Sequence, residues 1–242
     1  EVPLATFDFV PDPRKGIYRT RFSIMSLVKD RRGRLIRKFS RDYPLQGPLE
    51  KMGMVQAGSV VFMNQCELGP GIYSVETAVV DRVTHRFSIR RTRLAVKESR
   101  EGLDMSSLTI VRRVDPATGE ELTDDPLVFE DGRIVPNLAG VVLKDRGAGV
   151  GVYCAVFPEA ESSEQPQLIL EILRGGRVIA SGDSELPPPD EHGVIKWAGT
   201  VPLDALEPGF YEVTARVRQG RSLVQEHAFF SVGQPETALD PE

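Results

Sequence analysis

Only 2 of the 242 residues are cysteine and only 3 are histidine. Two thiols cannot build a disulfide-dense scaffold, and with no CxxC there is no zinc or redox centre of that type. Cys66 and Cys154 fall on separate apolar-rich strands, where they read as buried thiols acting as small hydrophobes. A disulfide between them would need their Cα atoms within about 7 Å. His85, His192 and His227 stand in three unrelated contexts, so no histidine-based metal centre is expected. No apolar run approaches the roughly 18 residues that span a bilayer, so the chain is expected not to be transmembrane. The chain starts at Glu1 with neither a Met nor a signal peptide, so a processed or excised piece is expected.

Other chemistries are missing as well. There is no G-x-S-x-G nucleophile elbow, no H-E-x-x-H and no P-loop. Gly147-Ala148-Gly149-Val150-Gly151 is glycine-rich but leads into a strand, and so offers no helix N-terminus to a phosphate. The expectation is a non-enzyme with no cofactor, no metal and no assignable catalytic residue. The acidic connection with Asp115, Glu120, Glu121, Asp124 and Asp125 has no EF-hand spacing; calcium binding within 115–125 stays open as a minority reading.

What is present is charge asymmetry and period-two alternation. The net charge is -5, yet residues 1–102 carry 19 Lys and Arg against 11 Asp and Glu, and residues 103–242 carry 11 against 24. The sign changes near Lys97-Glu98-Ser99-Arg100-Glu101-Gly102, a polar stretch of linker composition. Arg31, Arg32, Arg34, Arg37, Lys38 and Arg41, joined by Arg90, Arg91 and Arg93, could face an anionic partner. Nucleic acid is not expected, because only Phe39 is interleaved among them for base stacking.

From Ile17 to Lys29 the residues Tyr18, Thr20, Phe22, Ile24, Ser26 and Val28 share one side, as in a half-buried strand. Asp30-Arg31-Arg32-Gly33 then turns the chain into a hairpin. Ser59–Cys66 and Ile72–Val80 read as further strands. In His85–Val96 the apolar phase slips between Phe87 and Ile89 on odd positions and Leu94 and Val96 on even ones, which predicts a bulge near Arg90-Arg91. The second half repeats the habit in Val150–Val156, Leu168–Ile172, Val178–Ala180, Tyr211–Val217 and Ala228–Val232. Leu108–Val111 opens this half, with Asp115–Asp131 as a long surface excursion. The strongest helix candidate, Pro202–Leu206, is a single turn. Short strands punctuated by Gly and Pro predict an all-β fold of two tandem antiparallel β-sandwich domains. Residues 1–98 form the basic one, 103–233 the acidic one, and 234–242 a flexible tail.

One motif occurs twice, 138 residues apart: Leu68-Gly69-Pro70-Gly71-Ile72-Tyr73 and Leu206-Glu207-Pro208-Gly209-Phe210-Tyr211, each leading into an alternating strand. Pro then Gly suits a tight turn. The Tyr ring can pack inward while its hydroxyl reaches backbone in the preceding connection, as in a tyrosine corner. This L-x-P-G-x-Y pattern resembles bacterial immunoglobulin-like and fibronectin-like modules. With Ser106-Ser107-Leu108 and Val135-Pro136-Asn137-Leu138 between the copies, the chain is similar to the region following the A domain in acidobacterial-type "VWFA-related" exported proteins. That resemblance implies an exported, non-catalytic module, secreted, periplasmic or at the cell surface. It brings no metal site with it, since Asp104-Met105-Ser106-Ser107-Leu108 breaks D-x-S-x-S at its last position.

The expected role is a non-catalytic interaction or spacer module, binding another protein or the rest of its own parent chain through strand edges or loops. An accessory carbohydrate-binding module attached to an enzyme is the alternative, and it would display Trp197, the single tryptophan, on an open face.

Overall fold

The computed structural model describes residues 1–98, 102–116, 125–129, 132–144, 149–204 and 206–233. The chain divides into two compact units, Glu1–Ser99 and Arg100–Glu242. Both are built almost wholly of strands, so the fold is all-β.

Unit 1 contains β1 (Val2–Pro3), β2 (Val10–Asp12), β3 (Ile17–Asp30), β4 (Leu35–Pro48), β5 (Ser59–Val60), β6 (Gly71–Asp81) and β7 (Phe87–Val96). Its antiparallel sheet runs β4-β3-β6-β7, with β2 sharing the β6 side of β3 at the start of that strand. The expected alternation in β3 holds, since Tyr18, Thr20, Phe22, Ile24, Ser26 and Val28 are all buried on one face. Asp30 closes the β3–β4 hairpin by accepting from the backbone N–H groups of Arg32 and Arg34, and Gly33 sits at φ 81° as the turn requires.

The layer over this face comprises the β1–β5 ribbon, 3-10 turns at Leu4–Thr6 and Leu49–Lys51, and one short α-helix, α1 (Met52–Gln56). No such helix was expected from the sequence; five residues are too few to show a 3.6-residue period. Phe22 is the centre of this core, stacked on Phe7 at 4.0 Å and on Tyr43 at 4.9 Å between ring centroids.

Asp81, almost fully buried, ties the N-terminal segment to the β6–β7 turn. It accepts from the backbone N–H of Asp8 (3.0 Å), Val83 (2.7 Å) and Thr84 (3.1 Å). Burial pushes the Asp81 carboxyl up, but the N–H groups of Asp8, Thr84 and Val83 outweigh it and leave the pKa below the usual 3.8. A carboxyl whose pKa is lowered on folding stabilises above its unfolded pKa, and that contribution is lost as pH falls through the folded value. The melting temperature of unit 1 should therefore drop as the buffer is taken below about pH 4. Asp81→Asn should cost about 1.5–3 kcal/mol at pH 7 by urea unfolding, the range for hydrogen bonds to a charged acceptor.

Unit 2 contains β8 (Asp104–Met105), β9 (Thr109–Pro116), β10 (Val128–Phe129), β11 (Gly132–Pro136), β12 (Val141–Leu143), β13 (Gly149–Phe157), β14 (Gln167–Arg174), β15 (Arg177–Ser184), β16 (Ile195–Pro202), β17 (Gly209–Gln219) and β18 (Ser222–Gly233). One sheet runs β10-β11-β9-β13-β16, with β8 also on β13, and the other runs β12-β18-β17-β14-β15. Val150, Val152, Cys154 and Val156 of the first meet Leu168, Ile172, Val213, Ala215, Val217 and Phe230 of the second in one buried core, which makes this unit a sandwich. All its described ladders are antiparallel except β12 with β18. The stretch expected as a surface excursion from Asp115 is partly sheet, because Arg113–Pro116 pairs with Gly132–Val135. No apolar alternation marks that ladder in the sequence, because Arg112, Arg113 and Asp115 are polar.

The repeated motif has the same geometry twice. Tyr73 Oη donates to the Gly69 carbonyl at 2.8 Å and Tyr211 Oη to the Glu207 carbonyl at 2.7 Å. Gly71 and Gly209 share φ values of 157° and 156°. The copies differ in burial: Tyr211 is in the core and stacks on Phe230, whereas Tyr73 stays partly exposed. Tyr211→Phe should cost about 1 kcal/mol in denaturant unfolding, and Tyr73→Phe clearly less, since water can replace its lost bond.

Candidate interaction surface

The most open element of unit 1 is β7. Nine of its ten residues are exposed, and among the described residues it pairs only with β6, so its other edge is free. Which backbone groups lie on that edge follows from the ladder. Asp81 N–H donates to the Arg86 carbonyl and Arg82 N–H to the Arg21 carbonyl, so odd residues of β6 bond toward β7 and even ones toward β3. In an antiparallel ladder hydrogen-bonded and non-hydrogen-bonded pairs alternate. Ser88, Arg90, Thr92, Leu94 and Val96 therefore bond to β6, while Phe87, Ile89, Arg91, Arg93 and Ala95 turn their N–H and C=O groups outward.

The bulge expected near Arg90-Arg91 is absent. The β6–β7 register runs unbroken from Gly71↔Val96 to Val80↔Phe87. The phase slip places Phe87 and Ile89 on the outer face, 71% and 63% exposed, and Leu94 on the inner face. An edge strand with both faces open to water has no single buried face to satisfy, so nothing forces the extra residue in.

The basic residues expected as one set are divided. Arg37, Lys38 and Arg41 lie on β4, and Arg31, Arg32 and Arg34 belong to the turn before it or its approach. Arg90, Arg91 and Arg93 lie on β7, at the opposite edge of the sheet with β3 and β6 between. The two edges differ in chemistry. β4 contains Pro44, which has no N–H to offer and blunts an edge. β7 has no proline and no acid. Arg91 is paired with Glu76 at 2.8 Å, and Glu76 is also bound by Lys29; the hydrogen bond from Lys29 and the charges of Arg91 and Lys29 hold its carboxyl below its ordinary range. Arg90 and Arg93 have no carboxylate partner among the described residues.

Beside β7, on the inner face, lies a groove of about 490 Å³. Its floor is Ile24, Val28, Val75 and Val79; Ser88, Arg90, Thr92 and Leu94 of β7 form one side, and Phe62, Asn64, Cys66 and Leu68 project into it from the connection before β6. Cys66 is thus half-buried at a groove, while Cys154 is in the core of unit 2, where burial pushes its thiol up to about 12. Both are free. An aromatic disulfide reagent should titrate one thiol per folded chain at pH 8 and two in 8 M-range urea (roughly twice the midpoint of a small domain). Two thiols reacting at equal rates in the folded chain would contradict this placement.

The remaining candidates are dispersed. Trp197 is only 7% exposed, in the core of unit 2. His85 occupies the β6–β7 turn at φ 60°, His192 lies in the loop beside Glu191, and His227 meets Phe229 edge-on at 5.3 Å. In the acidic connection Asp115 is engaged by Arg113 at 2.6 Å and Asp125 by Arg133 at 2.8 Å; Glu120, Glu121 and Asp124 lie outside the described residues, as do Ser99–Glu101 and the tail 234–242. Among the described residues no three His, Cys, Asp or Glu side chains are grouped to hold a metal, and no helix is long and apolar enough to cross a membrane.

Sequence reasoning missed the exposed pairs. Phe210 stacks on Phe229 at 5.6 Å on the outer face of unit 2, and Phe87 and Ile89 are both exposed on the outer face of unit 1. Their signal was present as aromatic or aliphatic residues on the polar phase of alternating strands.

No family model and no curated protein matches the chain. Among solved structures it is similar to one described as "BspA_C_WT", at 10% identity over 89% of this chain and 92% of that one, with a TM-score of 0.24. A second is the C-terminal domain of the Streptococcus agalactiae AgI/II polypeptide BspA, at 11% identity over 90% and 85%, also with a TM-score of 0.24. Likeness at that level adds no argument to the geometry above.

Proposed function

We propose that this chain is a non-catalytic interaction module of an exported bacterial protein, and that it binds another protein through a strand edge, chiefly that of β7. One observation carries the reading: β7 is a ten-residue strand, exposed along almost its whole length, with five outward N–H and C=O pairs at alternate residues and neither a proline nor a bulge to interrupt them. Sheet edges of that length are templates for pairing with another chain. The exported setting and the immunoglobulin-like or fibronectin-like character rest on the paired L-x-P-G-x-Y corners. Two separate domains, 1–98 and 103–233, with 234–242 as a tail, belong to the same reading and draw support from the two compact units. A carbohydrate-binding role loses its best platform, because Trp197 is covered.

The test is an edge block. The Ile89 N–H faces outward, so Ile89→Pro removes a donor from the free edge without breaking a bond to β6. The wild-type chain, immobilised and exposed to an envelope extract of its source organism, should retain a protein that the folded Ile89→Pro chain does not. Equal capture by both would refute the edge reading.

A further inference from the structure

Resting on that edge reading, we propose that the strand received by β7 is an acidic, extended segment of a partner protein, and not a second copy of this chain. The charge of the edge decides it. Along Phe87–Val96 there are three arginines and no acid. Arg91 is already neutralised by Glu76, leaving Arg90 on the inner face and Arg93 on the outer face with no carboxylate among the described residues. A strand laid beside β7 brings its side chains within about 5 Å of both, close enough for cross-strand pairs to add or subtract affinity. Two β7 edges pairing with each other would set arginine against arginine, which works against self-association; carboxylates at alternate positions of the incoming strand share one face and, turned to the outer side, would meet Arg93 instead.

The two faces of β7 also differ in what they offer the incoming side chains between those charges. On the inner face such a side chain sits at the mouth of the groove, beside Leu94, Phe62 and Cys66. On the outer face it lies against Phe87 and Ile89. An incoming strand that alternates apolar and acidic residues therefore matches one face by packing and the other by charge.

The experiment uses the full chain labelled with nitrogen-15 and three capped eight-residue peptides: alternating Val and Glu, alternating Val and Lys, and the Val–Glu peptide with alternate amides N-methylated. At saturating Val–Glu peptide, amide hydrogen exchange at Ile89, Arg91 and Arg93 should slow at least about tenfold, as new cross-strand bonds form, while Ser88, Arg90 and Thr92, already bonded to β6, change little. The N-methylated peptide should give no protection, and raising salt from 0.05 to about 0.5 M should weaken the effect. Arg90→Glu with Arg93→Glu, both exposed and without a carboxylate partner among the described residues, should reverse the preference in favour of Val–Lys. Equal protection by Val–Glu and Val–Lys peptides, or an unchanged preference in the double variant, overturns the acidic assignment while leaving the edge reading intact if Ile89→Pro still abolishes capture. If Ile89→Pro leaves capture unaffected, the edge reading falls and the assignment falls with it.

Discussion

Phe22→Ala is expected to remove about 3–5 kcal/mol from the stability of unit 1, the range for deleting a buried aromatic ring. The side chain has no exposed surface and is the middle ring of a three-ring stack, with Phe7 on one side and Tyr43 on the other. Phe7 comes from the segment after Leu4–Thr6 and Tyr43 from β4, so the ring joins three stretches distant in sequence. Neighbours can collapse only partly into such a hole, because the sheet backbone is fixed by ladders on both sides of β3. A small domain has only about 5–15 kcal/mol in hand, so this change alone should bring unit 1 close to unfolding at 37 °C. Urea titration followed by far-ultraviolet circular dichroism reads it directly. A loss below about 1 kcal/mol would show that the layer above the sheet contributes little, and that β3 is held by its neighbours in the sheet.

The second large effect is expected at Gly199. Trp197 lies two residues earlier on the same face of β16, and its indole folds back over Gly199. A Cβ at position 199 would fall 2.4 Å from Cζ2 and 2.5 Å from Cη2 of that ring. The ring is rigid and in the core, so it must be displaced as a whole. Gly199→Val should cost about 3 kcal/mol, the upper part of the overpacking range. Because Trp197 is the single tryptophan, the same variant should shift fluorescence emission to longer wavelength as the indole gains water. Unchanged emission together with unchanged stability would mean the indole does not occupy this position in solution.

Strand content was readable where burial is one-sided. The six inward residues of β3 show in the sequence because that strand has one face in a core, whereas β13 keeps its Val150–Val156 alternation although Tyr153 and Ala155 on its other face are buried too. The tyrosine corners were readable for a different reason: a turn made of Pro and Gly followed by Tyr has few geometries open to it, and both copies adopt the same one. The candidate surface was only half visible. Arg90, Arg91 and Arg93 stood out as charges, but separating them from Arg37, Lys38 and Arg41 required the sheet order β4-β3-β6-β7, which depends on pairing between distant segments and leaves no local trace. The slip in β7 was misread for a related reason. Alternation reports a buried face, and on an open edge it reports nothing, so apolar residues on both phases signify exposure and not a bulge. The helix α1 is short enough that its formation is settled by what it covers, not by its own residues.

The final strand of unit 2 has a consequence for how the molecule is made. β18 pairs antiparallel with β17, its immediate predecessor, and parallel with β12, whose residues Val141–Leu143 are synthesised long before. Until Ser231–Gly233 emerge from the ribosome, β12 has no neighbour and one margin of that sheet stays unzipped. Unit 1, whose ladders are all complete once β7 has been made, can mature while the remainder is still being translated. The distal half must wait for its last few residues, and nascent chains stalled just short of them should be the ones most readily seized by chaperones.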